Sequence, residues 1–225
     1  MTASVINRRP PQEVTVCPEG LQGLLRLPSS PRGIVIFAHG SGSGRLSPRN
    51  NHVAEQLQDA GFGSLLVDLL HPAEEADRAN VFDIPLLASR LSGAVDWVEL
   101  APETCRLPIG YFGASTGAGA ALLAASGPDP RIRAIVSRGG RPDLAGAQAL
   151  AHVAAPTLLI VGSCDLPVIE LNRVALKHLR APKELVIVPG AHHLMEEPGT
   201  LDQVVEHAIR WFGSYLASPS GGRHA

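Results

Sequence analysis

Six short apolar runs recur along the chain, at residues 33–38, 63–68, 107–112, 132–137, 157–161 and 184–188. Most are rich in Val, Ile and Leu and show little polar alternation. A run of that kind reads as a strand covered on both faces, as in a parallel sheet lying between helices. Segments of helical period separate the runs. Residues 50–60 put Val53, Leu57 and Ala60 on one side, and Gly61 ends the pattern. Residues 84–100 do the same with Leu87, Leu91, Val95 and Val98. Residues 118–125 form a helix of small residues, 143–152 a helix capped by Asp143, and 168–179 and 200–216 two more. Ahead of the first run, 13–17 and 21–27 predict an antiparallel hairpin at one sheet edge. The alternation defines an α/β chain: a mostly parallel sheet of about seven or eight strands with helices on both faces. One domain is expected over 13–217, between flexible ends at 1–12 and 218–225. No insertion is long enough for a cap domain. The longest loop, 69–83, carries Glu74, Glu75, Asp77 and Arg78 and reads as an exposed polar connection.

The run at 107–112 leads straight into Gly113-Ala114-Ser115-Thr116-Gly117, and a small-residue helix follows. A serine on a sharp turn between strand and helix has a strained backbone, with its hydroxyl pushed into the open. The N–H of Thr116 then lies in the first turn of the helix, where donors have no partner and can hold a developing oxyanion. In an open parallel sheet, ligands bind at the carboxyl ends of the strands. The polar residues that follow the other runs are therefore the informative ones. Asp165 follows 157–161, and His192-His193 follow 184–188. The chain order Ser, Asp, His is that of an α/β-hydrolase. A serine hydroxyl needs a base to take its proton, histidine can return that proton to the leaving group, and a carboxylate orients the imidazole. A second oxyanion donor is expected from His39-Gly40-Ser41-Gly42-Ser43-Gly44, the loop after 33–38: Ser41 N–H, with Gly42 next.

Several of these residues have rival readings. Asp165 also suits a helix N-cap, and Asp68 is the runner-up acid. His192 and His193 compete, because adjacent loop residues point apart. His39 braces the oxyanion loop, and with Gly40 and Gly42 it belongs to the candidate substrate wall. Arg138 and Arg141, with His192, are candidate substrate contacts: the two arginines either clamp a carboxylate or brace their loop, Arg141 through Asp143. Cys164 lacks the turn a nucleophile needs and reads as a small buried side chain.

Composition narrows the classes. A formal net charge of −2 and 4% aromatic residues provide neither a basic surface nor stacking platforms for nucleic acid. Three cysteines, Cys17, Cys105 and Cys164, have no disulfide or zinc spacing and suit a reducing cytoplasm. Residues 1–12 lack the apolar core of a signal peptide, and no run is long enough to span a bilayer. No H-E-x-x-H or H-x-H-x-D spacing occurs, so no metal is expected, and the chemistry needs no cofactor. Monomer and homodimer are both open.

Phe37-Ala38-His39-Gly40-Ser41-Gly42-Ser43-Gly44, the Ser115 turn, Ser137-Arg138-Gly139-Gly140-Arg141-Pro142-Asp143-Leu144, Gly162-Ser163-Cys164-Asp165 and residues 189–199 together resemble the dienelactone hydrolase-like branch of the α/β-hydrolase superfamily. The likeness covers roughly residues 33–200. It implies Ser115 as nucleophile, Asp165 as acid and His193 as base. The family base directly precedes an apolar residue and an acidic stretch, as in His193-Leu194-Met195-Glu196-Glu197. Dienelactone hydrolases proper carry cysteine at the nucleophile position, and this chain has Ser115. The resemblance therefore implies hydrolysis of a small ester or lactone through an acyl-enzyme, rather than of dienelactone in particular. A thioesterase or small amidase would use the same residues, and a non-catalytic binding protein would keep only the fold. Some relatives in the branch are fused to a phosphoribosyltransferase domain, which this chain does not show.

Overall fold

A computed structural model describes residues 9–127 and 131–216. The expected flexible ends fall mostly outside these, and regular structure begins at Gln12. The described residues form one eight-stranded sheet in the order β1-β2-β4-β3-β5-β6-β7-β8. The hairpin β1 (Gln12–Val16) and β2 (Leu21–Arg26) is antiparallel and joins β4 (Gly63–Val67). From β4 onward the neighbours run parallel: β3 (Ile34–Ala38), β5 (Ile109–Ala114), β6 (Ile132–Arg138), β7 (Thr157–Gly162) and β8 (Lys183–Val188). Every residue of β3, β4, β5 and β7 is buried, which accounts for their unbroken apolar sequences. β8 departs from that expectation. It closes the sheet at an edge and stays half-exposed.

One face packs α4 (Ile84–Leu100), α5 (Thr116–Ala124), α6 (Ala147–His152) and α7 (Leu166–His178) over Ile34, Ile36, Leu65, Tyr111 and Leu159. The other packs α1 (Pro48–Asp59) and α8 (Thr200–Tyr215) over Val35, Phe37, Phe112, Val136 and Ile160. Each helix start is local chemistry. Ser47 caps α1 ahead of Pro48, and Asp83 accepts from Leu86 N–H at 2.9 Å ahead of Pro85.

Three expectations need correcting. The helix foreseen over 143–152 is a 3-10 turn, Pro142–Ala145, followed by α6. Gly146, at φ 82°, breaks it, and Asp143 turns to Arg141 instead of capping α6. The loop at 69–83 holds two short helices, α2 (Pro72–Glu75) and α3 (Arg78–Val81). β5 begins at Ile109 rather than 107, because Pro108 has no N–H for the ladder.

The decisive crossing is β5 into α5. A Cβ on Gly117 would lie 2.2 Å from the Ala38 carbonyl oxygen and 2.4 Å from that of His39. No helix with a side chain at this position could approach β3 so closely. Gly117→Ala is expected to cost about 3 kcal/mol or more. Gly20→Ala, at φ 74° with open space around it, should cost only about 1 kcal/mol. Urea midpoints of the two variants check the contrast, and equal losses would refute it.

Candidate active site

Three loops at the carboxyl edge of the sheet bring the predicted residues together. Ser115 joins β5 to α5 at φ 51° and ψ −123°, a conformation L-residues avoid. It is held there by its neighbours. Its N–H donates to Arg138 O at 3.3 Å, and its carbonyl accepts from Arg141 N–H at 3.0 Å. Its Oγ lies 3.4 Å from His193 Nε2. On the other side of the ring, His193 Nδ1 is 2.7 Å from Asp165 Oδ2. That contact assigns the Nδ1 proton to a bond toward the carboxylate and leaves Nε2 to accept from the serine.

Asp165 occupies the N-cap position of α7, yet its side chain makes no capping bond. The carboxylate is spent on His193 instead, with the positive end of α7 beside it. Asp68, the runner-up, is already engaged. It accepts from Arg45 N–H at 2.6 Å and pairs with the Arg45 guanidinium. His192 is exposed and pairs with Glu197, Nδ1 to Oε1 at 2.6 Å. Backbone donors, followed by this histidine, hold the Glu197 carboxyl below its ordinary range. Cys164 is exposed, contrary to expectation, because it lies on the turn after β7.

The oxyanion loop is fastened from both sides. His39 Nε2 accepts from Leu69 N–H at 3.0 Å, so its Nδ1 carries the proton and donates to Gly40 O, also at 3.0 Å. Gly40 O accepts in addition from Ser43 N–H at 3.2 Å, closing the turn through Gly42 at φ 67°. Ser41 N–H donates to Thr116 Oγ1 at 3.2 Å. Beyond the loop a cleft of about 450 Å³ runs past Ser41, Gly42, Arg45, Asp68 and Glu75. A larger cleft of about 630 Å³, walled by Arg106, Arg131 and Arg133, lies at the opposite, amino-terminal ends of the strands and touches none of the site residues.

The two arginines part company. Arg141 makes a two-pronged pair with Asp143, Nε to Oδ1 at 2.9 Å and Nη2 to Oδ2 at 2.8 Å, which raises its pKa and braces the loop. Arg138 is 7% exposed, and among the described residues no carboxylate pairs with it. Its Nη1–H donates to Leu194 O at 3.3 Å, and its Nε–H has no partner. Burial, and then the Arg49 cation, pulls it down to about 10. Leu194 directly follows His193, so Arg138 braces the histidine loop from below. From above, Arg49 Nη1 holds Glu196 Oε1 at 2.7 Å. Gly139 completes the seat: a Cβ there would meet His193 O at 2.9 Å and the ring at 3.5 Å.

Asn172 is a contributor that the sequence did not signal. It is fully buried on α7, and its Nδ2 donates to Gly140 O at 2.9 Å, tying that helix to the loop after β6. The Arg49–Glu196 and Ser41–Thr116 contacts were equally hidden. They join residues 147 and 75 positions apart with no motif to link them. Among the described residues no cluster of His, Cys, Asp or Glu could hold a metal, and no helix is long and apolar enough to cross a membrane.

Sheet order, serine turn and histidine loop together define an α/β-hydrolase fold. No protein-family model matches the chain. The solved dienelactone hydrolase of Anabaena variabilis is 55% identical, covers 92% of this chain and all of its own, and superimposes with a TM-score of 0.87. The chain belongs to the dienelactone hydrolase family. An esterase domain from a Rhodothermus marinus protein, 19% identical over 92% of this chain and all of its own, shares the fold at a TM-score of 0.75. Two Mycobacterium tuberculosis proteins, provisionally named phosphoribosyl transferases, are 58% identical over 207 residues. That match covers 92% of this chain, which spans about half (46%) of those curated relatives.

An unpaired buried guanidinium opposes folding. Arg138→Met should therefore raise stability by about 1–2 kcal/mol while slowing any chemistry that depends on His193. Urea denaturation and turnover, measured on one preparation, read both effects. A less stable variant with intact turnover would contradict this account of Arg138.

Proposed function

We propose that the protein is a serine hydrolase of small esters or lactones, working through an acyl-enzyme. The observation that carries the reading is the unbroken line of contacts from Ser115 Oγ through His193 to Asp165. Ser115 Oγ attacks the carbonyl carbon as His193 Nε2 takes its proton, and the carbonyl electron pair moves onto oxygen. The oxyanion faces the N–H of Thr116 and the Ser41–Gly42 turn. Asp165 keeps the imidazole in the accepting tautomer and stabilises the imidazolium. Collapse expels the alkoxide, which takes the proton from His193. Water then repeats the sequence on the acyl-enzyme and frees the acid. The 3.4 Å serine–histidine separation is of the kind that tightens when substrate arrives.

The modest cleft borders the Ser41–Gly42 turn and not Ser115 itself, and we read it as room for one side of a compact substrate. Three free, exposed cysteines suit a reducing compartment, and we place the protein in the cytoplasm. Family membership supports the hydrolase reading. We read the phosphoribosyl transferase name as describing the part of those longer proteins beyond the matched segment.

A fluorophosphonate probe is expected to label the protein, and Ser115→Ala to abolish labelling. Turnover of p-nitrophenyl acetate should fall on the order of 10⁴-fold in Asp165→Asn and at least as far in His193→Ala. His192→Ala should leave it nearly unchanged. Absence of labelling in the native protein would instead indicate a binding role. A panel of esters, thioesters and lactones then ranks the leaving groups.

A further inference from the structure

One of the two donors expected for the oxyanion is already engaged in the resting site. Ser41 N–H, the natural second donor, points at the side chain of Thr116 and gives its proton to Oγ1 at 3.2 Å. The residue is 5% exposed. Its hydroxyl therefore accepts one hydrogen bond and still carries a proton of its own. Among the described residues, no acceptor for that proton is found. On a residue this buried, a hydroxyl proton without an acceptor is uncommon and calls for an explanation. Its position narrows the choice. Thr116 directly follows Ser115, lines a small cavity with His39, Gly40, Ser41, Leu70 and Leu87, and touches the oxyanion loop through its hydroxyl, so the side chain sits against that loop one residue from the serine turn.

We propose that the Thr116 hydroxyl is itself an oxyanion donor, and that Ser41 acts through it: Ser41 N–H donates to Thr116 Oγ1, and Thr116 Oγ1–H donates to the oxyanion. A hydroxyl that accepts one hydrogen bond becomes a stronger donor in the next. Thr116 thus supplies two donors, its backbone N–H and its side chain, from one rigid position at the start of α5. No proton is transferred along this line. The hydroxyl keeps its hydrogen and only shares it with the charge that forms on the carbonyl oxygen. Because that charge exists only in the tetrahedral states, the contribution falls on kcat and not on ground-state binding.

The inference rests on the hydrolase reading, and the experiment separates the two. Thr116→Val keeps the shape and removes the hydroxyl; Thr116→Ser keeps the hydroxyl. With p-nitrophenyl acetate, Thr116→Val should lose on the order of 10²-fold in kcat with KM little changed. Inhibition by phenylboronic acid, which forms a tetrahedral adduct on the serine, should weaken by a similar factor. Thr116→Ser should recover most of both. If Thr116→Val keeps kcat within about twofold, or turns over faster because Ser41 N–H is now free, the hydroxyl is no donor and the proposal is wrong. It is equally wrong if Thr116→Ser fails to recover activity while folding normally, since the methyl group would then matter and not the hydroxyl. A native protein that neither turns over ester nor reacts with fluorophosphonate at Ser115 overturns the hydrolase reading, and this inference with it.

Discussion

The site depends on one close approach: the start of α5 lies almost against the backbone of β3. Gly117 passes the carbonyls of Ala38 and His39 at a distance no side chain would allow. Because the helix cannot begin farther out, the chain must turn within a single residue at the end of β5, and Ser115 takes the strained backbone that results. The strain is held by hydrogen bonds at both its amide and its carbonyl. The buried five-residue strand β3 on one side and the apolar core beneath α5 on the other supply the energy to maintain it. The same approach brings the loop after β3 beside Thr116, so the Ser115 turn and the Ser41–Thr116 contact share one origin.

The histidine arrives by a different route. Its loop follows β8, a half-exposed edge strand, and has little core of its own. It is secured by side chains from elsewhere: Arg138 on the Leu194 carbonyl, Arg49 on Glu196 and Met195 buried in the α1–α8 layer. Met195 also takes a positive φ of 55°, the described residues' other non-glycine case besides Ser115. Both loops thus hold strained backbone that a rigid surround must maintain. Burying the unpaired Arg138 cation adds a stability cost at the same place. Strained backbone and a buried cation thus meet at one place in a well-packed sheet, as expected where geometry is kept at a cost to folding energy.

Much of this is legible in the amino-acid sequence. Unbroken Val-, Ile- and Leu-rich runs point to doubly covered strands, so the parallel sheet followed from them, although the run that forms β8 closes the sheet as a half-exposed edge. Ser115, Asp165 and His193 stood out because each ends such a strand and a parallel sheet puts those ends on one edge. Element ends were less legible. A single glycine, Gly146, split a continuous-looking helix, and two short helices within 69–83 had too few residues to show a period. Between His192 and His193 the residues themselves leave the choice open; the tertiary contacts distinguish them, since His193 meets Asp165 and Ser115 while His192 pairs with Glu197. The fate of the arginines was hidden for a related reason. Local spacing offered the Arg141–Asp143 pair, two residues apart, as one of two readings, but nothing near Arg138 reports what lies above it.

By itself, then, the sequence determined the layer architecture, the strand–turn–helix around Ser115 and the set of side chains able to do the chemistry. Those properties follow from hydrophobic period and from residues adjacent in the chain. The tertiary structure decided the partners: Asp165 rather than Asp68 for the histidine, Glu196 for Arg49, a carbonyl for Arg138 and the Thr116 hydroxyl for Ser41 N–H. Each joins residues at least 28 positions apart. Such a pairing depends on how strands order themselves and how closely a helix packs, and no local pattern encodes either.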